Sequence, residues 1–242
     1  ATILLGPWAA MLVLTCVISI QALIFQDGGL LVMGANILNM GVVGVAVSYM
    51  VYKSTLRLAK GHSWGIFAGG LAAAWFSVEV SALGTALELA LSGTSPANIA
   101  IPAMGGIHAL IGIGEGLITV GALAFLHSSR SGLLKTNHAT PVRGNLVWVI
   151  GLIIALLLAI ASPWASGHPD GLMSVARQYG FLSSEQNPIF TLLPHYLIPG
   201  VKDKTLATIL AAIFGTLVVF IAVLGVAYSR HHQKNSEKDQ QD

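Results

Sequence analysis

Charge is what this chain is short of. Lys, Arg, Asp and Glu make up 9% of its 242 residues, where a soluble domain carries about 25%. Apolar residues are 55% and glycine adds 27 positions, which excludes a globule with one core and leaves a polytopic helical membrane protein. The single cysteine, Cys16, lies inside an apolar run, so no disulfide within the chain is possible. No G-x-x-x-x-G-K-[ST] loop is present, so energy for any work must come from another subunit. No H-E-x-x-H is present either, which argues against a hydrolytic metalloenzyme, and the chain is expected not to be an enzyme. A folded basic surface for nucleic acid is missing too. No basic region precedes the first apolar residues, so Ala1–Leu5 is not a signal peptide. It reads as the tail of a helix begun upstream, and the chain is expected to be a fragment.

Long apolar stretches are what the sequence does have. They mark an all-α fold with six expected transmembrane helices, at about 8–25, 32–52, 64–91, 99–126, 145–163 and 205–228. The connections sort by charge. Lys53, Arg57 and Lys60 fall in one loop, Arg130, Lys135 and Arg143 in another, and Arg230, Lys234 and Lys238 in the tail. The turns at 26–29 and 92–96 carry no Lys or Arg. The positive-inside rule then places the basic loops and the C-terminus in the cytoplasm of a multi-pass cell-membrane protein. Proline concentrates in an external segment, 164–204, with a short surface helix expected at Ser174–Gly180. A polar linker, 128–144, separates a first domain, 1–127, from a two-helix module, 145–229, and 230–242 is expected to be a disordered tail.

Ionisable groups inside spans are costly and therefore candidates for function. His108 and Glu115 are the only such groups between Ile99 and Leu126. Seven residues apart, they share a helix face roughly 10 Å apart along the axis. Gly106, Gly112, Gly114 and Gly116 beside them offer a close approach to another backbone. Asn36 and Asn39, three apart, are a second pair suited to orienting a ligand or bonding helix to helix. Glu79 and Glu88 are nine apart on opposite faces, and Glu88 is read as reaching water. His168, Asp170, Glu185 and His195 are scattered through the external segment without ligand spacing.

Several motifs, in order, resemble one family. Leu5-Gly6-Pro7-Trp8-Ala9-Ala10, Asp27-Gly28-Gly29, Gly34-Ala35-Asn36-Ile37-Leu38-Asn39-Met40 and His108–Thr119 are similar to the membrane subunit of cobalt and nickel energy-coupling-factor transporters, the CbiM/NikM type. Ser162-Pro163-Trp164-Ala165-Ser166 and Pro169-Asp170-Gly171-Leu172 resemble the PDGLE module often fused to it, with Met173 where that motif has Glu. The resemblance implies a substrate-capture component of an ATP-driven uptake transporter for Co(II) or Ni(II), in a prokaryotic plasma membrane. Its implied partners are a transmembrane coupling subunit and ATPase subunits, with membrane lipid around it and no nucleic acid. The ion is cargo, and no permanently bound cofactor is implied. In the family the ion is held by the N-terminal amine, by the histidine after the initiator Met, and by a histidine at the start of the helix before the Gly-Pro-Trp turn. None of these is in this sequence, so no metal ligand is assigned. Asn36, Asn39, His108 and Glu115 stand as candidates for contact with the substrate or its ligands. Two other readings are a self-sufficient ion or proton carrier using Glu79, His108 and Glu115, and a fragment that no longer binds.

Overall fold

A computed structural model describes residues 1–129, 146–164, 170–184, 190, 192–193 and 196–239. Among them there is no strand, and all regular structure is helical, as composition and apolar patterning predict. In chain order the helices are α1 (Thr2–Leu5), α2 (Pro7–Ile20), α3 (Met33–Leu58), α4 (Trp64–Leu91), α5 (Ala97–Ser129), α6 (Leu146–Ala161), α7 (Gly171–Tyr179) and α8 (Lys204–Asp239). The turn that continues α2, Gln21–Phe25, and the segment Ile37–Gly44 within α3 are wound as π-helix.

Local chemistry sets the ends. Pro7 opens α2, where its fixed φ suits a first helical position and its missing N–H is no loss. Gln26, Gly28 and Gly29, at φ of 60°, 74° and 72°, turn the chain after α2. Lys60 and Gly61, at φ of 46° and 84°, do the same after α3. Asp203 caps α8 by accepting from the Leu206 N–H at 2.8 Å.

Among the described residues five helices are long and apolar enough to cross a membrane: Pro7–Phe25, Met33–Leu58, Trp64–Leu91, Ala97–Ser128 and Lys204–Val226. The sixth expected span is α6. It is described over 16 residues, Leu146–Ala161, and is not among the five. Helix α8 runs on over 230–239, where the sequence reading expects a disordered tail, because no glycine or proline after Val226 interrupts it.

The chain divides into two compact units that do not follow sequence order. One is Ala1–Thr15, Gly34–Pro141 and Gly167–Asn187; the other is Cys16–Met33, Val142–Ser166 and Pro188–Asp242. In the first, α4 and α5 form the main hairpin. Leu71, Trp75 and Glu79, one turn apart on α4, seat against Gly116, Gly112 and Gly105 of α5. A Cβ at Gly112 would lie 2.9 Å from Trp75 Cδ1, and one at Gly116 3.3 Å from Leu71 Cγ. The Trp75 indole then donates to the Ala109 carbonyl at 3.0 Å. Of the four glycines singled out in the sequence, Gly112 and Gly116 admit a neighbour, while Gly106 and Gly114 have nothing within 4 Å. In the second unit, α6 and α8 pack together, and Phe25 wedges against Gly215 of α8, where a Cβ would sit 2.7 Å from its Cζ.

Candidate functional site

Among the described residues a polar cluster lies between α3 and α4. Asn39 sits in the π-wound segment of α3 and is 6% exposed. Its Nδ2 donates to Glu88 Oε2 at 3.0 Å and, more weakly, to Thr85 Oγ1 at 3.4 Å. Ser81 Oγ donates to the Asn39 carbonyl at 2.8 Å. Two glycines let these groups meet. A Cβ at Gly84 would lie 2.8 Å from Asn39 Oδ1, and one at Gly44 2.9 Å from Ser81 Oγ. Asn39 is thus held at its side-chain nitrogen and, separately, at its backbone carbonyl. A buried amide left without partners costs about 1–3 kcal/mol, so the clamp holds Asn39 in place and also satisfies it.

Asn36 is half-buried on the preceding turn. The π-winding begins at Ile37, between the two asparagines. Its i→i+5 pattern widens the turn, so a three-residue step no longer returns to the same face. Glu88, read from sequence as reaching water, is instead a central member of the cluster. A signal for it was present: Ser81, Thr85 and Glu88 are spaced four and three apart, a polar stripe on one face of an apolar helix.

His108 and Glu115 are not brought into one buried site. His108 is half-buried, and its Nδ1 lies 2.8 Å from the Met104 carbonyl. A carbonyl only accepts, so Nδ1 carries the proton in this pair and Nε2 is the acceptor nitrogen. Its ring edge faces Gly171 at the start of α7. Glu115 is exposed on the outer face of α5 among Leu110, Ile111, Leu117 and Ile118. Glu79 lies at the middle of α4 with its Oε2 buried and without a hydrogen-bond partner.

Helix α7 is the expected short surface helix, starting at Gly171: Leu172, Arg177, Gln178 and Tyr179 are exposed, and Gly171, Val175 and Ala176 are buried on its inner face. Asp170 caps it, accepting the Met173 N–H at 2.7 Å. Val175 is 0% exposed, in a cluster with Ala82 and Ala86 of α4 and Ala100 and Met104 of α5. Met173 occupies the position whose glutamate would complete a capping box by reaching back to the Asp170 N–H. This chain keeps half of that device.

In the second unit a further polar group forms around Asp27. Its Oδ2 accepts from Gln21 Nε2 at 3.1 Å and from the Tyr196 hydroxyl at 2.7 Å. Tyr196 also stacks on Phe25, with centroids 4.5 Å apart. Burial pushes the Tyr196 phenol above its ordinary pKa, and Asp27 raises it further as hydrogen-bond acceptor and as a negative charge. His168, Glu185 and His195 lie outside the described residues. Among the described residues no group of three or more His, Cys, Asp or Glu side chains is placed to hold a metal ion.

These features define a multi-pass helical membrane protein whose buried polar groups sit between spans, with no catalytic constellation among the described residues. The chain belongs to the family described as the cobalt uptake substrate-specific transmembrane region, which it matches over residues 1–133, and residues 145–232 match the PDGLE domain. The resemblance read from the motifs is therefore shown. A putative fused nickel transport protein NikMN of Archaeoglobus fulgidus is 33% identical over 234 residues, covering 96% of this chain and 75% of that relative. A probable fused nickel transport protein LarMN of Lactiplantibacillus plantarum is 32% identical over 255 residues, 93% of this chain and 74% of the relative. A cobalt transport protein CbiM of Sorangium cellulosum is 32% identical over 136 residues, 55% of this chain and 60% of its own length. No solved structure matches the chain.

Proposed function

We propose that the chain is the substrate-capture membrane component of an uptake transporter for nickel or cobalt ions. In this reading ATP drives transport through a separate coupling subunit and paired ATPases, and the ion is cargo rather than a resident cofactor. The observation that carries it is that a nickel transport relative aligns with 96% of the chain. The absence of a nucleotide-binding loop fits a component that relies on others for energy. The proposal extends to a prokaryotic plasma membrane, a C-terminus in the cytoplasm on the side of the basic loops, and α6 as a sixth crossing. The domains are proposed as 1–127 and 145–229, joined by 128–144. Asn39 is proposed to orient groups that touch the ion, with Asn36 beside it, while His108 and Glu115 act at a distance from the ion.

The test is uptake of radioactive nickel and cobalt by cells expressing the chain with and without coupling and ATPase subunits. ATP-dependent accumulation only in their presence supports the reading. Accumulation of neither metal under any combination overturns it. One observation favours a second reading, an ion or proton carrier: the unpartnered Oε2 of Glu79 inside α4. That reading requires uptake without any ATPase and its loss in Glu79→Gln.

A further inference from the structure

Gly171, at the first position of α7, is not needed for its backbone. It is absent from the described glycines with positive φ, so any residue could adopt its conformation. It is needed for space. A Cβ there would lie 2.5 Å from His108 Cε1, 2.7 Å from His108 Nε2 and 3.1 Å from Ile107 Cγ2. The imidazole is not free to swing away, because its Nδ1 is held at 2.8 Å by the Met104 carbonyl one turn back. Met104 is itself 2% exposed, in the cluster with Val175 of α7. On the other side, Asp170 fixes the start of α7 twice, by its side chain to the Met173 N–H at 2.7 Å and by its carbonyl to the Ser174 N–H at 2.9 Å. Neither partner of the contact can yield without breaking hydrogen bonds.

What α7 covers gives the contact its consequence. The cluster beneath it includes Ala82 on α4 and Met104 on α5. These flank Glu79 and Gly105, where a Cβ on the glycine would lie 3.0 Å from Glu79 Oε1 and where Glu79 Oε2 is buried without a partner. Displacing α7 opens the α4–α5 seam beside that carboxyl.

We propose that Gly171 and His108 are a positioning pair. The imidazole edge and the missing side chain key α7 onto the α4–α5 hairpin, and metal transport depends on this seating and not on contact between His108 and the ion. The functional half rests on the transport reading above; the seating itself does not. Because the fit is steric, it has a specific signature: removing the ring makes room for the methyl group.

The experiment compares the full chain with G171A, H108A and the double variant H108A/G171A, in lipid nanodiscs for hydrogen exchange and in cells with the partner subunits for nickel uptake. We expect G171A to speed exchange of the α7 amides at least about tenfold and to lower maximal uptake about fivefold with little change in KM. H108A alone removes the edge without adding a clash and should loosen α7 and lower uptake together, each by about threefold, and the double variant returns to about the level of H108A. The proposal is overturned if G171A leaves α7 exchange unchanged, or if the double variant is no better than G171A. It is equally overturned if H108A abolishes uptake while α7 exchange stays at the parent level, since His108 would then act on the ion. Should the parent chain transport neither metal, the transport reading fails, and the exchange cycle still decides the seating.

Discussion

The phenol of Tyr196 donates to Asp27 Oδ2 at 2.7 Å, joining residues 169 positions apart in the sequence. Tyr196 reaches that position at φ 56°, an uncommon conformation for a residue with a bulky side chain, which persists only when its surroundings over-determine it. Stacking on Phe25 and the bond to Asp27 are those surroundings.

The raised pKa of Tyr196, caused first by burial and then by Asp27, has a definite sign. The neutral phenol is the form the fold favours. Its contribution is fully present below the ordinary tyrosine value of about 10 and is lost as pH rises through the higher folded value. Ultraviolet titration of tyrosinate should therefore find at least one phenol that resists ionisation after exposed tyrosines have titrated. Asp27→Asn should bring it part of the way down, because burial remains. An unchanged titration curve in Tyr196→Phe would show that Tyr196 is not that phenol.

The Asn39 clamp makes a graded prediction. Asn39→Ala takes the donor away from Glu88 Oε2 while leaving the backbone carbonyl that Ser81 uses, and should cost about 1–3 kcal/mol in thermal unfolding in detergent. Glu88→Gln keeps an acceptor oxygen for the Asn39 amide, so it should cost less than Glu88→Ala. Gly84→Ala, whose methyl would lie 2.8 Å from Asn39 Oδ1, should behave like loss of the clamp. Equal stability of all four variants would mean the cluster holds nothing together.

On α5 the glycines should separate into two classes. Gly112→Ala drives a methyl against Trp75, including its Cα at 3.4 Å, and overpacking of this kind costs about 1–3 kcal/mol. Gly114→Ala meets open space and should be neutral or stabilising by up to about 1 kcal/mol through helix propensity. Paired melting curves of the two variants measure the difference, and a reversed order would put the α4–α5 register in error.

Met173→Glu should restore the second half of the cap on α7. The gain expected is about 0.5–1 kcal/mol, read as slower hydrogen exchange in the first turns of that helix. Faster exchange in the variant would argue that the Met173 side chain contributes to seating α7.

Much of this protein follows from its sequence alone. Long apolar runs with almost no charge leave only membrane-spanning helices, since backbone polar groups in lipid must be satisfied within the helix. Pro7, Asp170, Asp203 and the glycine-rich turns mark helix ends through local hydrogen bonding and φ preferences, which need no distant partner. The ordered motifs were enough to identify the family. Tertiary structure decided what depends on which apolar faces meet, because one Leu-rich or Ala-rich face carries almost no code for its partner. The π-winding that separates Asn36 from Asn39 leaves no periodic signature. Gly112 and Gly114 are alike in sequence, and only the position of Trp75 makes one a notch and the other open. The meetings of Asn39 with Glu88 and of His108 with Gly171 likewise exist only once the helices have packed, where close approach is set by a side chain that is not there.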